Sequence, residues 1–266
     1  MIAVAGCAAP TLPKKVSQSA PTQLPGLRFA SPTPTASAPP TATPTAPATV
    51  TPSHTPRPSA VTRPVSALAT QRVIIAGDSI PEDLGPMVSY ALAGPHFVGH
   101  TESHPSTGLV RNDFYDWPAA ARRIAAEHPT TVILLMGGND VQPIKLASGA
   151  YAPPGSLPWD AEYARRAGLV MTALRAGGVK QVYWLTMPTT TRPGMNPAVR
   201  AMGQAIHAAA QGRAGITVYD TDTLLGANAG TPIAHQPDGI HLSTRGSQMV
   251  ANALIGRLRI DAARPT

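Results

Sequence analysis

The feature that most constrains the fold is an alternation of short apolar runs with helical patterns, which begins after residue 71. The apolar runs are rich in β-branched and aromatic residues and do not alternate with polar ones. They therefore predict parallel strands buried on both faces. The strand-length runs are 72–77, 131–137, 181–187, 216–220 and a weaker one at 96–100. The helical patterns between and after them are 82–93, 117–128, 160–176, 197–212 and 244–259. This order predicts an α/β fold, a three-layer α/β/α sandwich with a mostly parallel sheet.

The first 70 residues differ in composition and predict a disordered tail. They contain 14 of the 30 prolines, 12 threonines and no acidic residue. Frequent proline removes backbone donors and excludes helix and sheet, and few apolar side chains remain to form a core. We therefore expect a Pro/Thr/Ala-rich linker over 1–70 and a folded domain over 71–266. The second region is long enough to bury one hydrophobic core.

The distribution of charge argues against nucleic acid as a partner. The whole chain has a formal net charge of +7, but residues 71–266 contain 16 basic and 14 acidic side chains. Most of the excess charge is therefore in the tail, whereas a nucleic-acid-binding domain concentrates basic side chains on its own surface. No run approaches about 18 consecutive apolar residues, so the sequence predicts no transmembrane helix.

The only cysteine, Cys7, excludes an intrachain disulfide and a cysteine-rich zinc site. Val4-Ala5-Gly6 before it resembles the lipobox of bacterial lipoproteins, in which the cysteine becomes the lipid-modified N-terminus. A full signal also has a basic region and a longer apolar stretch, whereas six residues precede Cys7 here. The resemblance implies an extracytoplasmic protein held at the cell envelope by a lipid anchor at Cys7. The alternative is an unmodified cysteine in a disordered tail.

Four motifs follow predicted strands or precede the last helix, and the carboxyl edge of a parallel sheet is where ligand sites form. They are Gly77-Asp78-Ser79, Ser106-Thr107-Gly108, Gly137-Gly138-Asn139-Asp140 and Asp238-Gly239-Ile240-His241. A glycine lets a backbone N–H approach a ligand, and an asparagine amide is a neutral donor for an oxyanion. An aspartate three residues before a histidine can orient the imidazole towards a serine.

These blocks, in this order, resemble the SGNH (GDSL-like) hydrolase superfamily over residues 71–260, and within it a bacterial extracytoplasmic branch. The resemblance implies a flavodoxin-like α/β/α fold with a serine esterase site. By position in the motifs, Ser79 is the nucleophile, His241 the general base and acid, and Asp238 its orienting partner. The implied oxyanion hole consists of the Ser79 and Gly108 backbone N–H groups and the side-chain amide of Asn139.

Five further side chains are candidates for substrate contact: Asp78, His104, Trp117, Asp140 and Arg192. Asp78 and Asp140 have the alternative role of bracing loop backbone, and His104 that of a solvent-exposed loop histidine. Trp117 is either a core anchor or a wall of the cleft. Arg192 would meet an anionic or glycan substrate. The sequence contains no phosphate-binding glycine loop and no zinc-ligand spacing, so we expect no cofactor and no metal.

The expected activity is hydrolysis of small acyl esters, most simply acetyl esters, of an extracytoplasmic carbohydrate through an acyl-serine intermediate. One alternative is an O-acyltransferase that moves an acetyl group to a cell-wall or surface glycan. A second is a catalytically inert surface carbohydrate-binding protein. The expected partner is an acylated carbohydrate or small ester, with membrane contact only through Cys7, and the protein is expected to be monomeric.

Overall fold

The computed structural model describes residues 70–262, with side chains up to residue 259. Cys7 and the predicted linker therefore lie outside the described residues. Within the described part, no helix combines the length and the apolar character that a membrane crossing requires.

A five-stranded parallel sheet forms the centre of the domain, in the order β2-β1-β3-β6-β7. Its strands are β1 (Gln71–Gly77), β2 (Phe97–Ser103), β3 (Thr131–Leu135), β6 (Gln181–Leu185) and β7 (Ile216–Tyr219). Every residue of β3 is buried, as expected of a central strand covered on both faces. The weak run at 96–100 is confirmed as a strand, and it lies at the edge of the sheet.

In the described part of the chain, six α-helices accompany the sheet: α1 (Pro81–Leu92), α2 (Trp117–Ala126), α3 (Leu157–Ala176), α4 (Asn196–Ala210), α5 (Thr221–Leu225) and α6 (Thr244–Ala262). The chain steps one way from β1 to β2 and the other way from β2 through β7, so right-handed crossovers place helices on opposite faces. Accordingly α1 packs against α6, while α3 packs between α2 and α4. The predicted three-layer α/β/α sandwich is confirmed.

Local sequence signals explain where helices α2 and α3 begin. The carboxylate of Asp116 accepts a hydrogen bond from the Ala119 N–H at 2.9 Å, which caps α2 as its sequence predicts. Helix α3 begins at Leu157, three residues before the expected Asp160, because Pro158 fits the first turn.

The long connection between β3 and α3 contains a two-stranded antiparallel hairpin, β4 (Ile144–Lys145) and β5 (Tyr151–Ala152). Ile144 and Ala152 are buried, so the hairpin packs onto the domain. The ring of Tyr151, by contrast, is exposed.

Candidate active site

The sheet order brings three of the predicted motifs together. Strands β2, β1 and β3 are neighbours, so the segments after their carboxyl ends, which carry Gly108, Ser79 and Asn139, lie at one edge of the sheet. His241 comes from the segment that precedes α6 and reaches the same edge. Residues from four distant parts of the chain therefore form one site.

Ser79, His241 and Asp238 form a continuous hydrogen-bonded chain. The Ser79 Oγ lies 2.7 Å from Nε2 of His241, and Nδ1 of the same ring lies 2.5 Å from Oδ2 of Asp238. All three side chains are partly exposed, so the arrangement opens to solvent. This is the geometry in which an imidazole accepts the serine proton while a carboxylate holds the ring in one tautomer.

The turn 238–241 orients Asp238. Its Oδ1 accepts hydrogen bonds from the Ile240 N–H at 2.9 Å and the His241 N–H at 3.1 Å. Partial burial raises the pKa of Asp238, but these hydrogen bonds and the His241 ring outweigh it and hold the pKa below its ordinary value. Gly239 has φ +75°, and a Cβ there would lie 2.3 Å from the Thr191 hydroxyl, so the turn requires glycine.

The loop between β6 and α4 supports this turn through Thr189, Thr191 and Arg192. The Thr191 N–H donates to the Gly239 carbonyl at 3.0 Å, and Nε of Arg192 donates to the Asp238 carbonyl at 2.5 Å. The buried ring of His235 lies 2.8 Å from the Thr189 carbonyl and 3.3 Å from the Ile240 carbonyl. His235 therefore bridges the β6–α4 loop and the turn that carries His241.

The three predicted oxyanion donors are available for a ligand. Within residues 70–262, neither the Ser79 N–H nor the Gly108 N–H donates to another protein atom. The Asn139 amide donates one hydrogen bond from Nδ2 to the Thr107 carbonyl at 3.0 Å, which fixes the side chain and leaves the second N–H of the amide unused. These donors are suited to stabilise negative charge that develops on a carbonyl oxygen.

Asp78 braces two loops. Its buried carboxylate accepts hydrogen bonds from the N–H groups of Ile80, Gly137 and Gly138, at 2.9–3.0 Å. Burial raises its pKa, and these three hydrogen bonds oppose the rise. Of the two interpretations of Asp78, the geometry matches the brace, because the side chain is fully enclosed.

Asp140 has a similar position beneath the Gly108 loop. It accepts hydrogen bonds at 2.9 Å from the N–H groups of Leu109 and Val110 and from the Tyr163 hydroxyl. Burial raises the pKa of Asp140 to about 6, against the effect of these hydrogen bonds. A Cβ at residue 108 would lie 2.2 Å from its Oδ1, so only glycine fits above it. Asp140 is 1% exposed, so its carboxylate is enclosed by the protein.

The remaining candidates for substrate contact differ in accessibility. Trp117 is 1% exposed and belongs to the hydrophobic core, and one side of it lines a cavity next to Gly108. His104 is only partly exposed, because its ring packs against Tyr115 at a centroid distance of 4.4 Å, and its Nε2 lies 3.0 Å from Oε1 of Glu102. Arg192 is exposed, and its hydrogen bond to Asp238 places it beside the triad.

Sequence reasoning missed His235, Tyr163 and Arg166. The last two had a readable signal, because Trp159, Tyr163, Arg166 and Val170 follow helical spacing and Arg166 therefore falls on an apolar stripe. A charged residue on such a stripe indicates a buried partner. His235 had no signal, since nothing in its local sequence connects it with Thr189.

A group of side chains on β2 and after α2 could hold a cation. Ligand atoms of His100, Glu102 and Glu127 lie within 4.8 Å of one another, and His100 and Glu127 are exposed. The group is separate from the Ser79–His241–Asp238 chain, and the chemistry described above does not involve it.

A Ser–His–Asp chain beside backbone and asparagine donors, at the carboxyl edge of a parallel sheet, defines a domain of the SGNH hydrolase type. The chain belongs to the family described as "Protein of unknown function (DUF459)", whose model matches residues 72–257. No curated protein sequence matches it.

Solved structures share the fold at low sequence identity. A carbohydrate esterase family 3 protein from Talaromyces cellulolyticus is 16% identical with a TM-score of 0.52, over 74% of this chain and 100% of that one. A catalytic mutant of Axe2, an acetylxylan esterase from Geobacillus stearothermophilus, is 14% identical with a TM-score of 0.54, over 74% and 98%. A lipase/acylhydrolase from Enterococcus faecalis is 15% identical with a TM-score of 0.50, over 72% and 97%. The predicted SGNH fold is confirmed.

Proposed function

We propose that this protein is a serine esterase that removes small acyl groups, most simply acetyl, from a carbohydrate. The observation that carries the proposal is the unbroken chain from Ser79 Oγ through His241 to Asp238, with contacts of 2.7 and 2.5 Å. Free oxyanion donors beside the serine strengthen it, because the nucleophile and the charge-stabilising groups meet at one accessible point.

The mechanism follows from these contacts. Nε2 of His241 takes the proton of Ser79 as Oγ forms a bond to the ester carbonyl carbon. Negative charge develops on the carbonyl oxygen and is stabilised by the Ser79 N–H, the Gly108 N–H and the Asn139 amide. The ester C–O bond then breaks, and His241 returns the proton to the departing sugar oxygen. A water molecule attacks the acyl-Ser79 by the reverse sequence and releases the carboxylic acid.

Two observations support the proposal that the substrate is a carbohydrate. The structural relatives include proteins described as a carbohydrate esterase and an acetylxylan esterase, which share the fold at 14–16% identity. In the chain itself, the exposed Arg192 guanidinium uses Nε to reach the Asp238 carbonyl. We propose that its Nη groups bind substrate hydroxyl or carboxylate oxygens, because the Nε bond keeps the guanidinium next to Asp238.

The test is hydrolysis of p-nitrophenyl acetate, of a long-chain homologue and of an acetylated xylooligosaccharide by the wild-type protein and Ser79→Ala. We expect acetyl release by the wild type, a preference for the short acyl chain, and loss of turnover in Ser79→Ala. Ser89→Ala is the matched control. Ser89 lies on helix α1, and its buried hydroxyl has no hydrogen-bond partner among the described residues. Equal turnover by wild type and Ser79→Ala would exclude the serine mechanism.

The same assay separates hydrolysis from acyl transfer. If an added sugar acceptor gains the acetyl group faster than free acetate appears, the protein acts as an O-acyltransferase through the same acyl-Ser79. A folded wild-type protein that releases no acyl group would favour the binding-protein alternative. We further propose an extracytoplasmic location with a lipid anchor at Cys7, on the basis of the sequence pattern that precedes that residue.

A further inference from the structure

The segment 107–110, which carries the Gly108 donor, is held from both sides by buried polar side chains, and we call it the oxyanion loop. On one side the Asp140 carboxylate accepts the N–H groups of Leu109 and Val110, both at 2.9 Å. On the other side Nη1 of Arg166 donates to the carbonyl oxygens of the same two residues, both at 2.8 Å. Each of these two residues therefore has its N–H bound by Asp140 and its carbonyl oxygen bound by Arg166.

Arg166 is committed to this loop. It is 5% exposed, and its guanidinium also binds Glu162, the Asn112 side chain and the Lys145 carbonyl, at 2.6–2.9 Å. Its neighbour Arg165 binds Glu162 as well but is exposed and does not reach the loop. Helix α3 therefore presents one arginine to solvent and one to the backbone beside Gly108.

Apolar packing and hydrogen bonds both hold the loop, since the side chains of Leu109 and Val110 are each 2% exposed and belong to the hydrophobic core. A cavity of about 250 Å³ borders it, lined in part by Gly108, Leu109, Trp117 and Arg166. Side chains do not fill this space, and on this side the hydrogen bonds of Asp140 and Arg166 to Leu109 and Val110 hold the backbone next to Gly108. Asn139, the residue before Asp140, also bonds to the oxyanion loop, because its amide donates to the Thr107 carbonyl.

We propose that Asp140 and Arg166 are positioning residues that hold the oxyanion loop in its catalytic geometry, and that protonation of Asp140 weakens the oxyanion hole. This inference rests on the proposed esterase function. A carboxylate oxygen that gains a proton can no longer accept both loop N–H groups equally well. The Gly108 donor then loses its fixed direction, and transition-state stabilisation falls.

The surroundings of Asp140 place its protonation within the working range of an esterase. Burial raises its pKa to about 6, and the nearby Asp78 contributes to the rise. The hydrogen bonds from Val110, Leu109 and Tyr163 favour the ionised form and oppose it. Since Tyr163 on α3 and Asp78 after β1 face Asp140, and Arg166 binds the other side of the loop, each of these groups bears on the titration. The carboxylate is therefore ionised at pH 8 and takes up its proton as the pH falls through about 6.

Tyr163→Phe and Asp140→Asn test this inference through the pH profile of kcat for p-nitrophenyl acetate. Tyr163→Phe removes one donor from the ionised carboxylate, so the acid limb should move upward by about 0.5–1 pH unit while kcat at pH 8 changes little. Asp140→Asn should lose about 10²-fold in kcat at pH 8 with a nearly unchanged KM. Its acid limb should be less steep, because residue 140 then no longer takes up a proton. Asp113→Asn is the matched control, because Asp113 is an exposed carboxylate of the β2–α2 connection that contains the oxyanion loop.

Hydrogen exchange of the Leu109 and Val110 amides gives a readout that does not depend on ester hydrolysis. We expect faster exchange in Asp140→Asn and Arg166→Gln, and wild-type exchange in Arg165→Gln. Unchanged exchange in Asp140→Asn would show that Asp140 does not hold the oxyanion loop. Faster exchange with wild-type kcat would show that holding the loop does not position the Gly108 N–H for catalysis. Wild-type protein without esterase activity would instead contradict the proposed function, which keeps the two failures distinct. An acid limb that does not move in Tyr163→Phe would overturn the role of Asp140 protonation.

Discussion

At the scale of single residues, the site divides into groups that would touch the substrate and groups that hold them. Ser79, His241 and Asn139 are partly exposed at the carboxyl edge of the sheet, whereas Asp78 and Asp140 are at most 1% exposed. The two buried carboxylates together accept five backbone N–H groups from the loops around the site. Neighbouring residues of one motif therefore differ in environment, with Asn139 partly exposed at the site and Asp140 buried beneath the loops.

Asn139→Ala tests the assignment of the side-chain donor. The change removes one oxyanion hydrogen bond and leaves the contacts between Ser79, His241 and Asp238 in place. We therefore expect kcat for p-nitrophenyl acetate to fall by about 10²–10³-fold. Asn252→Ala on the exposed face of α6 is the control. If Asn139→Ala retains wild-type kcat while Ser79→Ala is inactive, the nucleophile stands and the oxyanion hole must be reassigned.

At the scale of elements, the catalytic turn 238–241 depends on a loop that is distant in sequence. The β6–α4 loop reaches it through Thr191, Arg192 and the contact of Thr189 with the buried His235. A neutral imidazole has one N–H and can donate to only one of the two carbonyl oxygens beside it, so His235 donates to Thr189 or to Ile240. Either way its ring fills the space between the two segments.

His235→Ala should loosen the turn that carries Asp238 and His241. The variant leaves the partly buried Thr189 carbonyl without its hydrogen bond to His235, which should lower the free energy of unfolding by about 1–3 kcal/mol. Displacement of His241 should lower kcat by about 10–100-fold. Urea unfolding and ester hydrolysis measure the two effects, with the exposed helical His207→Ala as the control. His235→Gln can restore one hydrogen bond, so it should recover part of both losses. A kcat equal to that of His207→Ala would contradict the supporting role.

At the scale of the whole molecule, the proposed location depends on Cys7, which lies outside the described residues. Mass spectrometry of membrane fractions from the native host should find a lipid-modified peptide that begins at Cys7. Cys7→Ser should release the protein into the soluble fraction without changing kcat, because the Pro/Thr-rich linker separates the anchor from the domain by sequence. An unmodified Cys7 in the native host would contradict the anchoring proposal.

The sequence by itself determined the class of fold and predicted the three residues that the structure joins in a Ser–His–Asp chain. Buried parallel strands need continuous apolar runs and their crossover helices need periodic ones, so these elements can be read from local composition. Ser79, Gly108, Asn139 and His241 could be found because each belongs to a short motif beside a predicted element. Arg166 could have been found too, as a charge on an apolar helical stripe.

Only the tertiary structure decided which side chains hold the site together. The bonds of Asp140 to Leu109, of Arg166 to the same loop and of His235 to Thr189 join residues 31, 57 and 46 positions apart. No local pattern specifies such pairs, because they depend on the order of strands in the sheet and on how closely two loops approach. The same reason explains Trp117, whose burial depends on tertiary packing, including that of α2 against α3, and not on its own neighbours in the chain.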